Sequence, residues 1–437
     1  MRKILFSGAL LFVLQVLFAA TVDIVPSELR SYKAGEKVSF KATAYSDTRK
    51  GELLKEGVYT ITVKDSGGKV IGPGIKVDAS RNNPFEFTAQ LDRPGFLFAA
   101  AGDVTLKDGK KLKWQNSRAR PAAGGVAVEP EKIRQAGEDP SDLDAFWQEQ
   151  LKKYEKAVVT VTPAPQVKRA NFKVSLVKVD FPDGSGSIQG FLFIPEKPGK
   201  YPAAAGVPGA GPGLSEEKPS PYIQAGIPAI ELYMNIHLFP MGRTQKEQRE
   251  KYAKYNKTFS SGIYYRAFDG VRENYIYAKA WPAVSKAIDY VANLPEFDGK
   301  HFAAVGNSQG GGTAFALAFL NKNITCVAAS VPALCDLQGD LAGRQAGWPQ
   351  LRRSLKEEKA QKAYAYFDCA SFAKRIRVPA AVTVGYADST CAPSSVYAAF
   401  NNLAGEKKII SMFRNGHRLS EEARKELVKF LDEQLSK

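Results

Sequence analysis

Gly306-Asn307-Ser308-Gln309-Gly310 is the stretch of this chain whose residue types and spacing point most directly to chemistry. The apolar run Phe302 to Val305 precedes it, and Gly311-Gly312 lead from it into the apolar segment Thr313 to Leu320. Strand, G-x-S-x-G and helix is the setting of a nucleophile elbow, a turn so tight that the serine's neighbours must be small. Such a turn lifts the hydroxyl clear at the top of a sheet. The bland alternative is a glycine-rich strand-to-helix turn that only packs closely or holds an anion at the helix start.

A serine hydroxyl is a weak nucleophile near neutral pH, so it needs a base, and the base needs an orienting acid. The chain contains only three histidines, which narrows the choice. His301 stands before the elbow strand, at the opposite end of the sheet from Ser308, and is expected at the surface. His237 follows an apolar strand and is the second candidate. His417, in Asn415-Gly416-His417 between the last expected strand and the final helix, is the preferred base. For the acid, Asp388 lies in the loop after Ala380-Val384, with Asp336 as runner-up. Ser308, Asp388 and His417 thus follow the order Ser, Asp, His at successive strand ends. A lone loop aspartate is otherwise an ordinary turn or helix cap. The oxyanion requires preorganised N–H donors. Gln309, next to the serine, offers one, and Ala210 or Gly211 in Pro208-Gly209-Ala210-Gly211-Pro212-Gly213 offers the second, unless that stretch is only a flexible loop.

The elements that must position these residues are visible in the same rows. Val174-Phe181 and Ser187-Pro195 flank Asp183-Gly184-Ser185-Gly186 as a hairpin, followed by strands at 202–207, 228–233, 302–305, 324–331, 380–384 and 408–412. Helices are expected from Asp139 to Tyr154, over 274–294 and 394–403, and at the end over 421–435. Antiparallel strands followed by repeated β-α units predict an α/β fold, a mostly parallel eight-stranded sheet with helices on both faces. Eight strands with the serine turn after the fifth is the α/β-hydrolase arrangement.

Residues 21–122 read differently. Lys37-Ala44 and Tyr59-Lys64 alternate with period two between turn sequences such as Asp65-Ser66-Gly67-Gly68, which predicts a small all-β immunoglobulin-like sandwich. It holds no catalytic cluster, and is expected to be a spacer, a cap or a carbohydrate-contacting module. Pro121 to Pro130 is expected to be the joint to a catalytic domain over 123–437. Ahead of both, Arg2-Lys3, the apolar run Ile4 to Phe18 and Ala19-Ala20 predict a signal peptide over 1–20 and export to the periplasm or beyond, with an uncleaved anchor as the rival. No later segment is long and apolar enough to span a bilayer. The net charge of +16 comes from lysines scattered among acids, so a solvated basic surface is expected rather than a nucleic-acid site. Cys326, Cys335, Cys369 and Cys391 fit no metal spacing, and their disulfide state stays open.

Val305-Gly306-Asn307-Ser308-Gln309-Gly310-Gly311-Gly312, Val331-Pro332-Ala333-Leu334-Cys335-Asp336, and Asp388-Ser389-Thr390-Cys391-Ala392-Pro393 resemble the acetyl xylan esterase and cephalosporin-C deacetylase family, as does Tyr264-Tyr265-Arg266. The resemblance runs from about residue 130 to the end. It implies a Ser-Asp-His hydrolase that deacetylates sugars without a cofactor or metal, with Ser308 as nucleophile, Asp388 as orienting acid, His417 as base, and Gln309 and Ala210 as backbone donors. Three positions depart from the family: Ala210 stands for a usual tyrosine, Asn235-Ile236-His237 for Arg-Gly-Gln, and His417-Arg418 for His-Glu. These departures bear on the substrate and on the family's hexameric assembly. Two other readings are a serine peptidase of the same fold and a sugar- or envelope-binding protein without turnover.

Overall fold

The computed structural model describes residues 20–46, 51–112, 123–220 and 223–437. Residues 1–19 of the expected leader lie outside the described residues. Among the described residues no helix is long and apolar enough to cross a membrane.

The N-terminal strands are β1 Thr21–Pro26, β2 Lys37–Tyr45, β3 Val58–Asp65, β4 Ile75–Asp78, β5 Phe85–Gln90, β6 Gly95–Ala101, β7 Val104–Thr105, β8 Lys111–Leu112 and β9 Ala123–Val128. They form one sheet in the order β1-β2-β5 and another in the order β8-β7-β3-β6-β9, with β4 paired to β3. Alternation drives this: Val38, Phe40, Ala42 and Ala44 of β2 are buried while Lys37, Ser39 and Lys41 face water. The expectation of a joint over 121–130 is corrected by β9, which pairs with β6 from Ala100↔Ala123 to Gly95↔Val128. Gly124-Gly125 belong to a strand because two backbones pass too close there for side chains. An added Cβ at position 124 would lie 2.6 Å from the Ile24 carbonyl oxygen.

The second part of the chain runs α1 Leu143–Tyr154, β10 Val159–Pro163, β11 Phe172–Asp180, β12 Ser187–Pro195, β13 Tyr201–Val207, β14 Ile230–Met234, α2 Gln245–Asn256, α3 Ile276–Ala292, β15 Phe297–Asn307 and α4 Gln309–Leu320. It continues as β16 Cys326–Ser330, α5 Glu358–Tyr364, α6 Cys369–Ala373, β17 Ala380–Gly385, α7 Pro393–Asn402, β18 Lys407–Met412 and α8 Glu421–Leu435. Its sheet has the order β10-β11-β12-β14-β13-β15-β16-β17-β18 and is parallel from β14 to β18. It has nine strands rather than the eight expected. The additional one, β10, is a five-residue edge strand ending in proline and largely exposed, so its hydrophobic signal is weak. Successive residues of the central strands feed two cores. Ala203, Ala205, Phe302 and Ala304 face α3 and α4, while Ala204, Ala303 and Val305 face α8.

Strand order reverses around β13, which has β14 on one side and β15 on the other. The crevice beyond the carboxyl ends of strands that diverge in this way is where open α/β sheets bind ligands. Beneath it, Glu231 of β14 is nearly fully buried and is held by Arg169 through two bonds, of 2.7 and 2.6 Å. The guanidinium also lies over the Phe172 and Phe193 rings. Removing one partner of such a pair leaves an uncompensated charge in the core. Arg169→Met is expected to lower the unfolding free energy by about 3–5 kcal/mol, and the double variant Arg169→Met with Glu231→Met to recover most of it, read by urea denaturation.

Candidate active site

Ser308 sits between β15 and α4 with φ 58°, a conformation costly for a residue with a side chain. Backbone bonds hold it there. Its N–H donates to the Ser330 carbonyl at 2.8 Å, and its own carbonyl accepts from Gly312 at 3.0 Å and Ala333 at 2.9 Å. The flanking glycines have a steric reason. An added Cβ at position 306 would lie 2.1 Å from the Gly310 oxygen, and one at position 310 would lie 1.9 Å from the Val207 oxygen. The helix therefore starts in direct backbone contact with β13.

His417 Nε2 is 2.9 Å from Ser308 Oγ, and His417 Nδ1 is 2.7 Å from Asp388 Oδ2. Asp388 is aimed by its own loop: its Oδ1 accepts N–H bonds from Thr390 and Cys391 at 2.8 and 3.0 Å, which leaves Oδ2 for the imidazole. The acid and base loops interlock, because Ala387 N–H donates to the Asn415 carbonyl at 3.0 Å and Gly385 packs on the Gly416 carbonyl. The structure thus brings together Ser308, Asp388 and His417, residues drawn from three different strand ends.

The other candidates lie elsewhere. Asp336 is fully buried, with a 2.7 Å ion pair to Arg344 and a bond from the Ala136 N–H, and serves as a structural staple. His301 pairs with Asp298 at 2.8 Å. His237 is buried beneath the 208–214 loop among Phe239, Tyr252, Tyr255 and Tyr264, with ring centroids 5.0 to 6.1 Å away and no hydrogen bond at either nitrogen. All four cysteines are free and buried. Cys391 lies beside Ser308, and burial pushes its thiol well above the ordinary value, so it is a neutral neighbour. Donor atoms of Asp388, Cys391 and His417 fall within 4.8 Å of one another. Both imidazole nitrogens already face Asp388 and Ser308, which orders this set for proton transfer.

Gln309 has a second part that the sequence did not disclose. As the first residue of α4 its N–H lacks a carbonyl one turn back, so it is a donor available to an oxyanion. Its side chain clamps the site: Oε1 accepts from Tyr264 at 2.5 Å and Tyr277 at 2.9 Å, and Nε2 donates to the Pro208 carbonyl at 3.4 Å. Burial holds both phenols well above their ordinary pKa, so they stay donors. Gln248 Nε2 holds the Pro212 carbonyl and Asn235 makes two bonds to Leu214. These three amides fix the loop that carries Ala210 across the pocket mouth. Ala210, Gly209 and Gly211 line, with Ser308 and His417, a cavity of about 600 Å³.

Tyr252, Tyr265 and Trp348 also line that cavity, with the Tyr265 and Trp348 ring centroids 4.4 Å apart. Tyr252 comes from α2, a helix with no apolar stripe that hydrophobic periodicity could not find. Its one local signal is the capping sequence Thr244-x-x-Glu247, whose Thr244 hydroxyl accepts the Glu247 N–H at 3.1 Å.

Fold and site define an α/β-hydrolase of the serine carboxylic-ester hydrolase class. The sequence model of the acetyl xylan esterase (AXE1) family matches residues 129–434, and the chain belongs to that family. It is 31% identical over 336 residues to the acetyl esterase Axe7A of Xylanibacter ruminicola, an alignment covering 73% of this chain and 76% of that protein. The structure is similar to acetyl xylan esterase 1 from Thermoanaerobacterium sp. (TM-score 0.56, 19% identity, 70% of this chain and 98% of that one). It is also similar to an acetyl xylan esterase from Paenibacillus sp. (TM-score 0.57, 20% identity, 70% and 99%). At these identities the two structures establish the fold.

Burial pushes His237 down to about 3. The folded value lies below the ordinary 6.5, so the neutral ring's contribution to stability is complete above about pH 6.5 and is lost as pH falls towards 3. Across that window the His237→Phe variant is expected to lose stability less steeply than wild type, by up to about 1.4 kcal/mol per pH unit, measured by urea unfolding at stepped pH.

Proposed function

We propose that the protein is an exported carbohydrate esterase that removes acetyl groups from acetylated xylan or xylo-oligosaccharides. The observation carrying this reading is the unbroken hydrogen-bond line Asp388–His417–Ser308 opening onto the cavity. Ser308 Oγ attacks the acetyl carbonyl carbon while His417 Nε2 takes its proton, and Asp388 stabilises the imidazolium. The N–H groups of Gln309 and Ala210 hold the oxyanion. As the carbon–oxygen bond to the sugar breaks, His417 returns the proton to the departing sugar oxygen and leaves acetyl-Ser308. Water, deprotonated by His417, then attacks that ester and releases acetate. The chemistry closes without a cofactor or a metal.

Family membership and the name of the Axe7A relative support acetyl as the acyl group. The aromatic side chains of Tyr252, Tyr265 and Trp348 in the cavity lining supply flat faces of the kind on which sugar rings rest. Ala210 leaves that cavity without the tyrosine side chain usual in the family. Export rests on the Arg2-Lys3 and Ile4-to-Phe18 pattern.

Ser308→Ala is expected to abolish hydrolysis of 4-nitrophenyl acetate and of acetylated xylo-oligosaccharides, by a factor of about 10⁴ or more, and to abolish fluorophosphonate labelling, with an unchanged circular dichroism spectrum. Dipeptide amides run alongside should remain intact. Cleavage of the amides alone would replace the esterase reading with a peptidase, and an unlabelled wild-type serine would replace it with a binding protein.

A further inference from the structure

We propose that the N-terminal sandwich is a positioning element of the catalytic machinery, holding Asp388 in register with His417. This inference rests on the reading of Ser308, Asp388 and His417 as a triad. The loop bearing Asp388 leaves β17 at Gly385 and meets the base loop on one side. On its other side the sandwich touches it directly at Tyr386, and reaches it at Ser389 through Gln345 of the 339–347 loop.

Two residues before Asp388, Tyr386 is buried against Phe96 of β6, edge to face at 5.2 Å and 85°. Its carbonyl rests on the bare backbone of Gly125 in β9, where an added Cβ would lie 2.0 Å from the oxygen. One residue after Asp388, the Ser389 carbonyl accepts from Gln345 Nε2 at 3.0 Å, and the Gln345 N–H donates to the Ser66 carbonyl at 2.7 Å. Ser66 joins the two routes, because its Oγ also accepts the Phe96 N–H at 2.7 Å.

That residue is itself fixed. Asp65, buried at the end of β3, accepts the N–H groups of Gly67 and Lys69 at 2.8 and 2.9 Å and pairs with Arg93 at 2.6 Å. Gly67 lies against the Gly343 carbonyl, where an added Cβ would sit 2.1 Å away. A rigid turn of the sandwich therefore presses on the 339–347 loop, and that loop bonds to the acid loop. Asp388 sends one oxygen to its own loop and the other to His417, so a shift of the loop passes directly into the aim of the imidazole. Misplacement by about 1 Å is enough to slow an enzyme by about 10²-fold. The sandwich, on this view, acts on the chemical step and not on substrate capture.

The test uses the full-length protein with Phe96→Leu, Gln345→Ala and their combination, beside Phe87→Leu and Asp388→Asn. Phe87 stacks on Phe40 inside the sandwich at 5.2 Å and takes no part in either route. It controls for loss of module stability. Expected for the combined variant are a kcat on 4-nitrophenyl acetate lower by about tenfold or more, an unchanged KM, and a broadened or displaced low-field proton resonance of the His417 Nδ1–Asp388 bond. Phe87→Leu should lower the melting temperature and leave kcat and the resonance at wild-type values. A combined variant with wild-type kcat and resonance overturns the proposal, as does an equal kcat loss in Phe87→Leu at matched stability. Retention of turnover by Asp388→Asn would instead overturn the triad reading on which the proposal rests.

Discussion

The active site depends on backbone contact at the elbow. Ser308 is held at a positive φ while α4 begins against the Val207 carbonyl of β13 and the Ser330 carbonyl of β16. Only glycine at positions 306 and 310 lets these segments meet, because a single methyl group would overlap a carbonyl oxygen. The contact does two things at once. It raises the Ser308 hydroxyl into the crevice, and it brings the β13 loop with Ala210 to the same cavity. The strained turn is sustained by a core of small side chains: alanines and glycines along β13, β15 and β16 let α4 pack close enough to lock it.

Around this contact the site is built by mutual constraint rather than by any single strong interaction. Asp388 is oriented by its own backbone, His417 by Asp388, and the 208–214 loop by the amides of Gln309, Gln248 and Asn235. Each buried donor or acceptor so occupied would be costly to leave unpaired. The sandwich joins the same network through Ser66, Phe96 and Gly125. Its core is separate from that of the larger sheet, except where Phe96, Phe98 and Ala127 reach across. Asn235-Ile236-His237 acquires a physical account as well: Asn235 ties the loop end, and His237 fills an aromatic space beneath it as a neutral ring.

The parts of the fold that were legible share a strong periodic signal. The hairpin of β11 and β12, the central strands, α3 and α8 fall close to where apolar spacing predicts them. The parts that were not legible lack such a signal. β10 is a short exposed edge, α2 buries only Gln248 and Asn256, and β9 hides behind two glycines that read as a joint. The same division holds within the pocket. Ser308, Asp388 and His417 stand at strand ends whose order can be counted, whereas Tyr252, Tyr265 and Trp348 come from three segments with no common pattern.

The amino-acid sequence by itself determined which serine, aspartate and histidine could be partners, because connection order constrains strand ends and the chain has so few histidines. It also determined that the elbow had to be glycine-lined. Tertiary structure alone decided how those groups are held. The clamp of Tyr264 and Tyr277 on Gln309, the burial of Asp336 as a staple, the bond of Ser66 to Gln345 and the approach of Gly125 to Tyr386 all depend on contacts between distant segments. Local periodicity reports which face of an element is buried. It carries no information on what that face is buried against.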